Sequence, residues 1–224
     1  MRKPADIRGI IFDFDGVILD SVSLKTELFV RCYGDQPSEE QKAHIREYQA
    51  LHGGVGRGEK FTYFERTLFD REPTPESVAR LSRLYGEFLA AEIEACGYLP
   101  GALPFLTTLH GKIPLHLVSG TLHEDLVRIL EQRDLTRFFR SVIGSPMRKI
   151  DAFRSIVENE GYDPATILAI GDAITELEAA ESAGTQFIGI VAPRDENLFP
   201  PGTTIYPDLA SLHAEWPRLA TPTV

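Results

Sequence analysis

The sequence predicts an α/β protein: a parallel sheet covered by helices on both faces, interrupted after its first strand by an all-helical insertion. Three observations predict it. Short apolar, β-branched runs recur without polar alternation, as strands buried on both faces require. Amphipathic segments separate these runs, the order expected of a parallel sheet with helical crossovers. Residues 21–99 carry helical patterns and no strand-like run.

The first run spans Ile7 to Phe14, with Ile10, Ile11 and Phe12. Helical segments follow at Ser23 to Arg31, Glu39 to Gln49, Lys60 to Phe69 and Pro75 to Glu94. The last places Val78, Leu81, Leu84, Phe88 and Leu89 at helical spacing. A glycine-rich loop, Gly53 to Gly58, interrupts the insertion, and Tyr98-Leu99-Pro100-Gly101 closes it. Strand patterns resume at Leu115 to Val118, weakly at Val142-Ile143, then at Ile167 to Ile170 and Phe187 to Val191. Helices are expected between them at Leu122 to Gln132, Ala152 to Asn159 and Glu176 to Ala183. Prolines from Pro193 to Pro222 punctuate the tail, which predicts mostly loop beyond a short edge strand. Residues 1–20 and 100–224 thus form a core domain, and residues 21–99 the insertion.

Composition narrows the function classes. The 224 residues are 43% hydrophobic, enough for a packed core. A net charge of −10 gives no basic footprint for nucleic acid or an anionic membrane. Two cysteines, Cys32 and Cys96, support neither a disulfide framework nor a cysteine metal site, and point to reduced thiols and a cytoplasmic chain. Arg2 and Lys3 precede an apolar run cut by Asp13 and Asp15, unlike a signal peptide. No run nears the ~20 apolar residues of a membrane helix.

Ligands of an open parallel sheet sit at the carboxyl ends of its strands. Four short sequences fall there. Asp13-Phe14-Asp15-Gly16 ends the first strand, and two acids this close are costly unless a cation or a shared proton compensates. Val118-Ser119-Gly120-Thr121 offers a hydroxyl and free N–H groups at a helix start, which suit a phosphate. Lys149 precedes the next helix, and Gly171-Asp172 is followed four residues on by Glu176. Taken singly, each has a plainer reading: turn acids, a helix N-cap, a solvated lysine, an acid answering a helix dipole. Taken together, they converge on one crevice.

In this order the motifs resemble the haloacid dehalogenase-like hydrolase superfamily, over about Ile7 to Val191. The likeness is to its phosphatase branch with a helical C1-type cap, that of phosphoglycolate phosphatases and beta-phosphoglucomutases. The resemblance implies a Rossmann-like core with residues 21–99 as the cap. It implies Asp13 as nucleophile, Asp15 as general acid/base, and Ser119, Gly120 and Lys149 as phosphate-binding residues. It implies Mg2+ held by Asp13, Asp172 and the main-chain carbonyl of Asp15, with Glu176 in support. The partner would be a small phosphorylated metabolite, and the enzyme a cytoplasmic monomer or homodimer. Protonating a leaving alkoxide requires Asp15 to carry a proton in the ester complex. Three departures stand out. Ala173 replaces a hydroxyl residue, Glu176 is one methylene longer than the commoner aspartate and so would act through water, and Arg148 adjoins Lys149 as a rival for the lysine role.

The loop Gly53 to Gly58 is no phosphate loop, because Glu59 stands where the lysine should be. Two readings remain for it. One is a cap specificity loop, with Gly54 backbone near substrate and Arg57 or Lys60 on an anionic group. The other is a helix-to-helix linker. His44, His52 and His123 read as surface or core residues, and Phe61, Tyr63, Phe64 and Phe69 as cap core rather than a base-stacking platform. Rival functions on the same residues are a phosphosugar mutase, a phosphonate hydrolase using Lys25, Lys42 or Lys60, a receiver-like phospho-acceptor, and a non-catalytic binding module.

Overall fold

A computed structural model describes residues 7–193 and 195–219. Arg2, Lys3 and Pro222 lie outside them. The strands are β1 (Gly9–Phe12), β2 (Leu115–Leu122), β3 (Ser141–Ser145), β4 (Ile167–Gly171), β5 (Gln186–Ile190) and β6 (Ile205–Tyr206). They pair in parallel in the order β3-β2-β1-β4-β5-β6. The chain winds outward from β1 to β3, then crosses to the other side of β1 with β4. That reversal opens the crevice beyond the ends of β1 and β4.

Period two divides the core. Ile10, Phe12, Leu115, Leu117, Leu168 and Ile170 face one side, against α5 (Ala102–Leu109), α6 (His123–Gln132) and α9 (Leu209–Leu219). Ile11, Val118, Ile167 and Ala169 face the other, against α7 (Lys149–Glu160) and α8 (Ile174–Ala183). Burial on both faces explains why the strands read as continuous apolar runs.

Four helices fill the insertion: α1 (Val22–Arg31), α2 (Glu39–Leu51), α3 (Arg57–Leu68) and α4 (Pro75–Glu92). Ser38 caps α2 through a reciprocal bond with Gln41, and Thr74 caps α4 with Ser77 ahead of Pro75. The aromatic residues pack on one another as expected of a core. Phe29 lies 5.1 Å from Phe61, 5.8 Å from Phe64 and 4.6 Å from Tyr85, between ring centroids, and Phe69 stacks on Tyr33 at 4.3 Å. His44 and His52 stack on Tyr63 and Tyr48, and His123 is exposed.

The tail departs from expectation. It forms α9, with Pro217 inside it, where proline spacing predicted loop. Burial of Leu209, Leu212 and Trp216 outweighs the local helix cost. Gly101 makes room for this docking: at φ 79 it has no side chain, and a Cβ there would stand 2.2 Å from Ala210 N. The neighbouring α5, not marked in the sequence, buries Ala102, Phe105, Leu106 and Leu109 at helical spacing. Among the described residues, no helix is long and apolar enough to cross a membrane.

Candidate active site

Asp13 leaves β1 at the crevice, its N–H donating to Ile170 O at 2.9 Å. Gly16 then turns the chain at φ 79; a Cβ there would lie 2.0 Å from Asp172 Oδ2, so only glycine lets this turn meet the end of β4. Lys149, the first residue of α7, donates from Nζ to Asp13 Oδ1 at 2.8 Å and also to Glu176 Oε1. Glu176 Oε2 accepts from Ala173 N at 2.7 Å, and Thr175 Oγ1 donates to Oε1 at 2.9 Å. Glu176 thus bonds Lys149 directly and shares it with Asp13. Arg148 is exposed, whereas Lys149 is buried against Asp13 and Glu176.

Asp15 is held from several directions. Oδ1 accepts from Lys25 Nζ and from Ser21 Oγ, both at 2.5 Å, and Oδ2 from Thr121 Oγ1 at 2.9 Å and Ser119 Oγ at 3.2 Å. Lys25 Nζ also donates to Thr121 Oγ1 at 2.6 Å. Ser119 thus faces the crevice beside Gly120, while its hydroxyl accepts from Thr121 N at 3.1 Å. The contacts of Lys25, Ser21 and Thr121 with Asp15 were not legible, although Thr121 belongs to the strand-end motif and Lys25 is one of the lysines available to a phosphonate hydrolase. The one signal is the four-residue spacing of Ser21 and Lys25, which puts both on one face of a helix start.

Burial and charge set the protonation of these groups. Desolvation raises the Asp13 carboxyl from 3.8 to about 7, with Glu176 and Asp15 adding to it and Lys149 opposing. Asp172 is pushed well above the ordinary range by burial and by Asp13 and Glu176. Burial opposes ionisation of Asp15 too, but the Lys25 charge and the bonds from Lys25, Ser21 and Thr121 outweigh it and hold the carboxyl below 3.8. In this arrangement the ammonium of Lys25 favours the carboxylate form of Asp15, whereas the expected proton belongs to the complex with the ester. Carboxylate oxygens of Asp13, Asp172 and Glu176 lie within 4.8 Å of one another. An all-oxygen set in which burial makes Asp13 and Asp172 resist ionisation fits a hard divalent cation.

The glycine-rich loop lies against the same residues. A Cβ on Gly54 would stand 2.8 Å from Lys149 Cε and 2.2 Å from Thr175 Oγ1, and one on Gly120 would stand 2.8 Å from Gly54 O. Such contacts exceed those of a plain linker and agree with a loop over the site. Arg57 Nη1 pairs with Asp125 Oδ2 at 2.6 Å. Lys60 Nζ donates to Gln49 Oε1 at 2.5 Å and to Gly53 O at 3.2 Å. Lys42, by contrast, pairs with Glu39 on the outside of α2. Asp13, Asp15, Lys25, Arg57, Lys60 and Lys149 all line one cavity of about 90 Å³.

A family-wide sequence profile of haloacid dehalogenase-like hydrolases matches residues 7–184. The chain belongs to the haloacid dehalogenase-like hydrolases. Its curated relatives include a phosphoglycolate phosphatase of Shigella dysenteriae serotype 1, 26% identical over 216 residues and covering 85% of this chain and 83% of the relative. Another, from Vibrio cholerae serotype O1, is 28% identical over 198 residues, covering 82% and 84%. Among solved structures, CbbY from Rhodobacter sphaeroides in complex with phosphate shares the fold, with a TM-score of 0.74 at 21% identity over 92% of this chain and 96% of that one. The chain is thus a hydrolase whose curated relatives include phosphoglycolate phosphatases.

Proposed function

We propose that this hydrolase is a Mg2+-dependent phosphatase of small phosphate monoesters, working through an aspartyl-phosphate on Asp13. The observation that carries the reading is the convergence of Asp13, Asp15, Ser119, Lys149, Asp172 and Glu176 at the end of the sheet. Residues 1–20 and 100–224 act as the core domain and residues 21–99 as the cap over it.

In the first half-reaction a carboxylate oxygen of Asp13 attacks phosphorus, and the ester P–O bond breaks. Asp15 gives the leaving alkoxide its proton. In the second half, Asp15 takes a proton from water as its oxygen attacks phosphorus, which releases phosphate and restores Asp13. Ser119 and the Gly120 N–H receive phosphoryl oxygens, and Lys149 offsets their charge. Mg2+, held by Asp13, Asp172 and the main-chain carbonyl of Asp15 with Glu176 in support, supplies further positive charge when bound. With Lys25 on its carboxylate, Asp15 is arranged as the base of the second half; acting as the acid requires it to gain a proton against that contact. The direct test is phosphate release from p-nitrophenyl phosphate. Release that needs Mg2+ and stops with chelator supports the reading; metal-independent release or none refutes it.

The metal assignment also has a stability signature. The folded chain binds the Asp13 proton more tightly than the unfolded one, so this group's contribution falls as pH rises from 3.8 towards about 7. A bound cation reverses that loss. Saturating Mg2+ should raise Tm more at about pH 8 than at about pH 5. An equal or larger rise at the lower pH would count against a cation on Asp13.

The charges around the cavity bear on the leaving group. Three of the cations around it are paired with carboxylates: Lys149, Lys25 and Arg57. Lys60, 2% exposed, is held by neutral oxygens, and burial with Lys149 and Lys25 nearby lowers its pKa to about 7. An anionic substituent would restore its charge, so a phosphoester bearing a carboxylate, of the phosphoglycolate type, fits better than a neutral sugar phosphate. Lys60→Met should raise KM for 2-phosphoglycolate about tenfold or more while moving KM for p-nitrophenyl phosphate less than about twofold. Equal changes would remove Lys60 from substrate recognition.

A further inference from the structure

We propose that Asp125 is a positioning residue that pins the loop Gly53 to Arg57 onto the core; the inference rests on reading that loop as the cover of the phosphate-ester site. Asp125 lies in the first turn of α6, directly after the strand that carries Ser119 and Gly120. From sequence it looks like an ordinary acid answering a helix dipole. Here it has a more specific task. Its Oδ2 accepts from Arg57 Nη1 at 2.6 Å, and the two side chains are only 10% and 11% exposed. Its Oδ1 accepts from Arg128 at 2.7 Å, on the solvent side, where Arg128 is 41% exposed.

Three elements meet at this ion pair. Arg57 opens α3, Asp125 opens α6, and α4 passes beside both. Gly86 of α4 lies where a Cβ would stand 3.4 Å from Arg57 Nη2 and 3.6 Å from Asp125 Oδ2. At those distances even a Cβ would meet the pair in ordinary van der Waals contact, so α4 packs directly against it. Tyr85 lies 5.4 Å from the guanidinium, centroid to Cζ. Arg57 Nε is buried without a partner in the structure, so the contact with Asp125 is the charged bond that fixes this guanidinium.

The consequence runs through the backbone. Arg57 immediately follows Gly54, Val55 and Gly56, whose backbone presses on Gly120, Lys149 and Ser145. Holding Arg57 therefore holds the loop against the ends of β2 and β3. Asp125 touches neither the phosphoryl group nor the metal ligands in this account; it acts through Arg57. Loss of this ion pair would free Arg57 and loosen the loop from those contacts, a local opening that amide exchange reads.

The test compares full-length wild type with Asp125→Asn, Asp125→Arg, Arg57→Asp, the swap Arg57→Asp/Asp125→Arg, and Arg128→Gln. The first readout is hydrogen exchange of the amides of residues 53–57 in enzyme without substrate. Asp125→Asn should speed that exchange about tenfold or more, with the strands unchanged, and Arg128→Gln should leave it within about twofold. The swap should recover most of the protection that each charge-reversed single variant loses. The second readout is kinetic: Asp125→Asn should raise KM for p-nitrophenyl phosphate more than it lowers kcat. Unchanged exchange in Asp125→Asn, a swap no better than its parents, or Arg128→Gln matching Asp125→Asn would overturn the proposal. Should the wild type release no phosphate, the functional reading fails while the exchange data still decide the role of Asp125.

Discussion

Asp13→Asn is expected to reduce phosphatase turnover by about 10⁵-fold or more, the scale seen when a covalent nucleophile is removed. The amide keeps the size of the side chain and can still accept from Lys149, so the site should keep its shape. It loses the anionic oxygen that would attack phosphorus. It also removes one negative charge from a buried group of acids, and desolvation already raises Asp13 to about 7. The metal-free variant should therefore be at least as stable as wild type at neutral pH, because a buried carboxyl that ionises only near pH 7, beside Glu176 and Asp15, has been replaced by a neutral group of the same size. Thermal unfolding and turnover measured together check both halves. Loss of activity with a much lower Tm would point to unfolding instead of missing chemistry.

The second large effect is expected at Lys149. Lys149→Met should lower kcat/KM by about 10³-fold, or about 4 kcal/mol of transition-state stabilisation, because the ammonium sits in a dry site where phosphoryl charge would gather. It should also destabilise the fold by roughly 3–5 kcal/mol, the cost of breaking a buried ion pair from one side, since Asp13 and Glu176 lose their shared cation. Arg148→Met is the matched control. Its side chain is exposed, and both effects should stay below about twofold in rate and about 0.5 kcal/mol in stability. Comparable losses in the two variants would undo the assignment of Lys149.

Much of this was legible in the sequence where a single local rule governs. Buried strands announce themselves as continuous apolar runs, and their carboxyl ends located Asp13, Ser119, Lys149 and Asp172 before any coordinates. The insertion was legible because residues 21–99 hold no strand-like run and carry helical spacing, as at Val78, Leu81, Leu84, Phe88 and Leu89. What was hidden depends on contacts between distant segments. Lys25 reads as any helical lysine until α1 brings it to Asp15, and this long-range pairing makes Asp15 a carboxylate in the arrangement described. Asp125 looks like a helix-start acid until α3 brings Arg57 to it. In α9, Pro217 and the prolines before the helix misled a local reading, since docking against Gly101 and α5 is a tertiary effect. Glu176 lay between these cases: its position was readable, but its direct bond to Lys149 was not.

The central claim is that a phosphoryl group passes through Asp13. Acyl phosphates are reduced by borohydride to the alcohol, so quenching the wild-type enzyme with borohydride during turnover of a phosphate ester with Mg2+ should convert an aspartate to homoserine. Peptide mass spectrometry should locate that change at Asp13, and only when substrate and Mg2+ are both present. Steady phosphate release with no reduced residue, or with the change at Asp15 or Asp172 instead, would contradict the account.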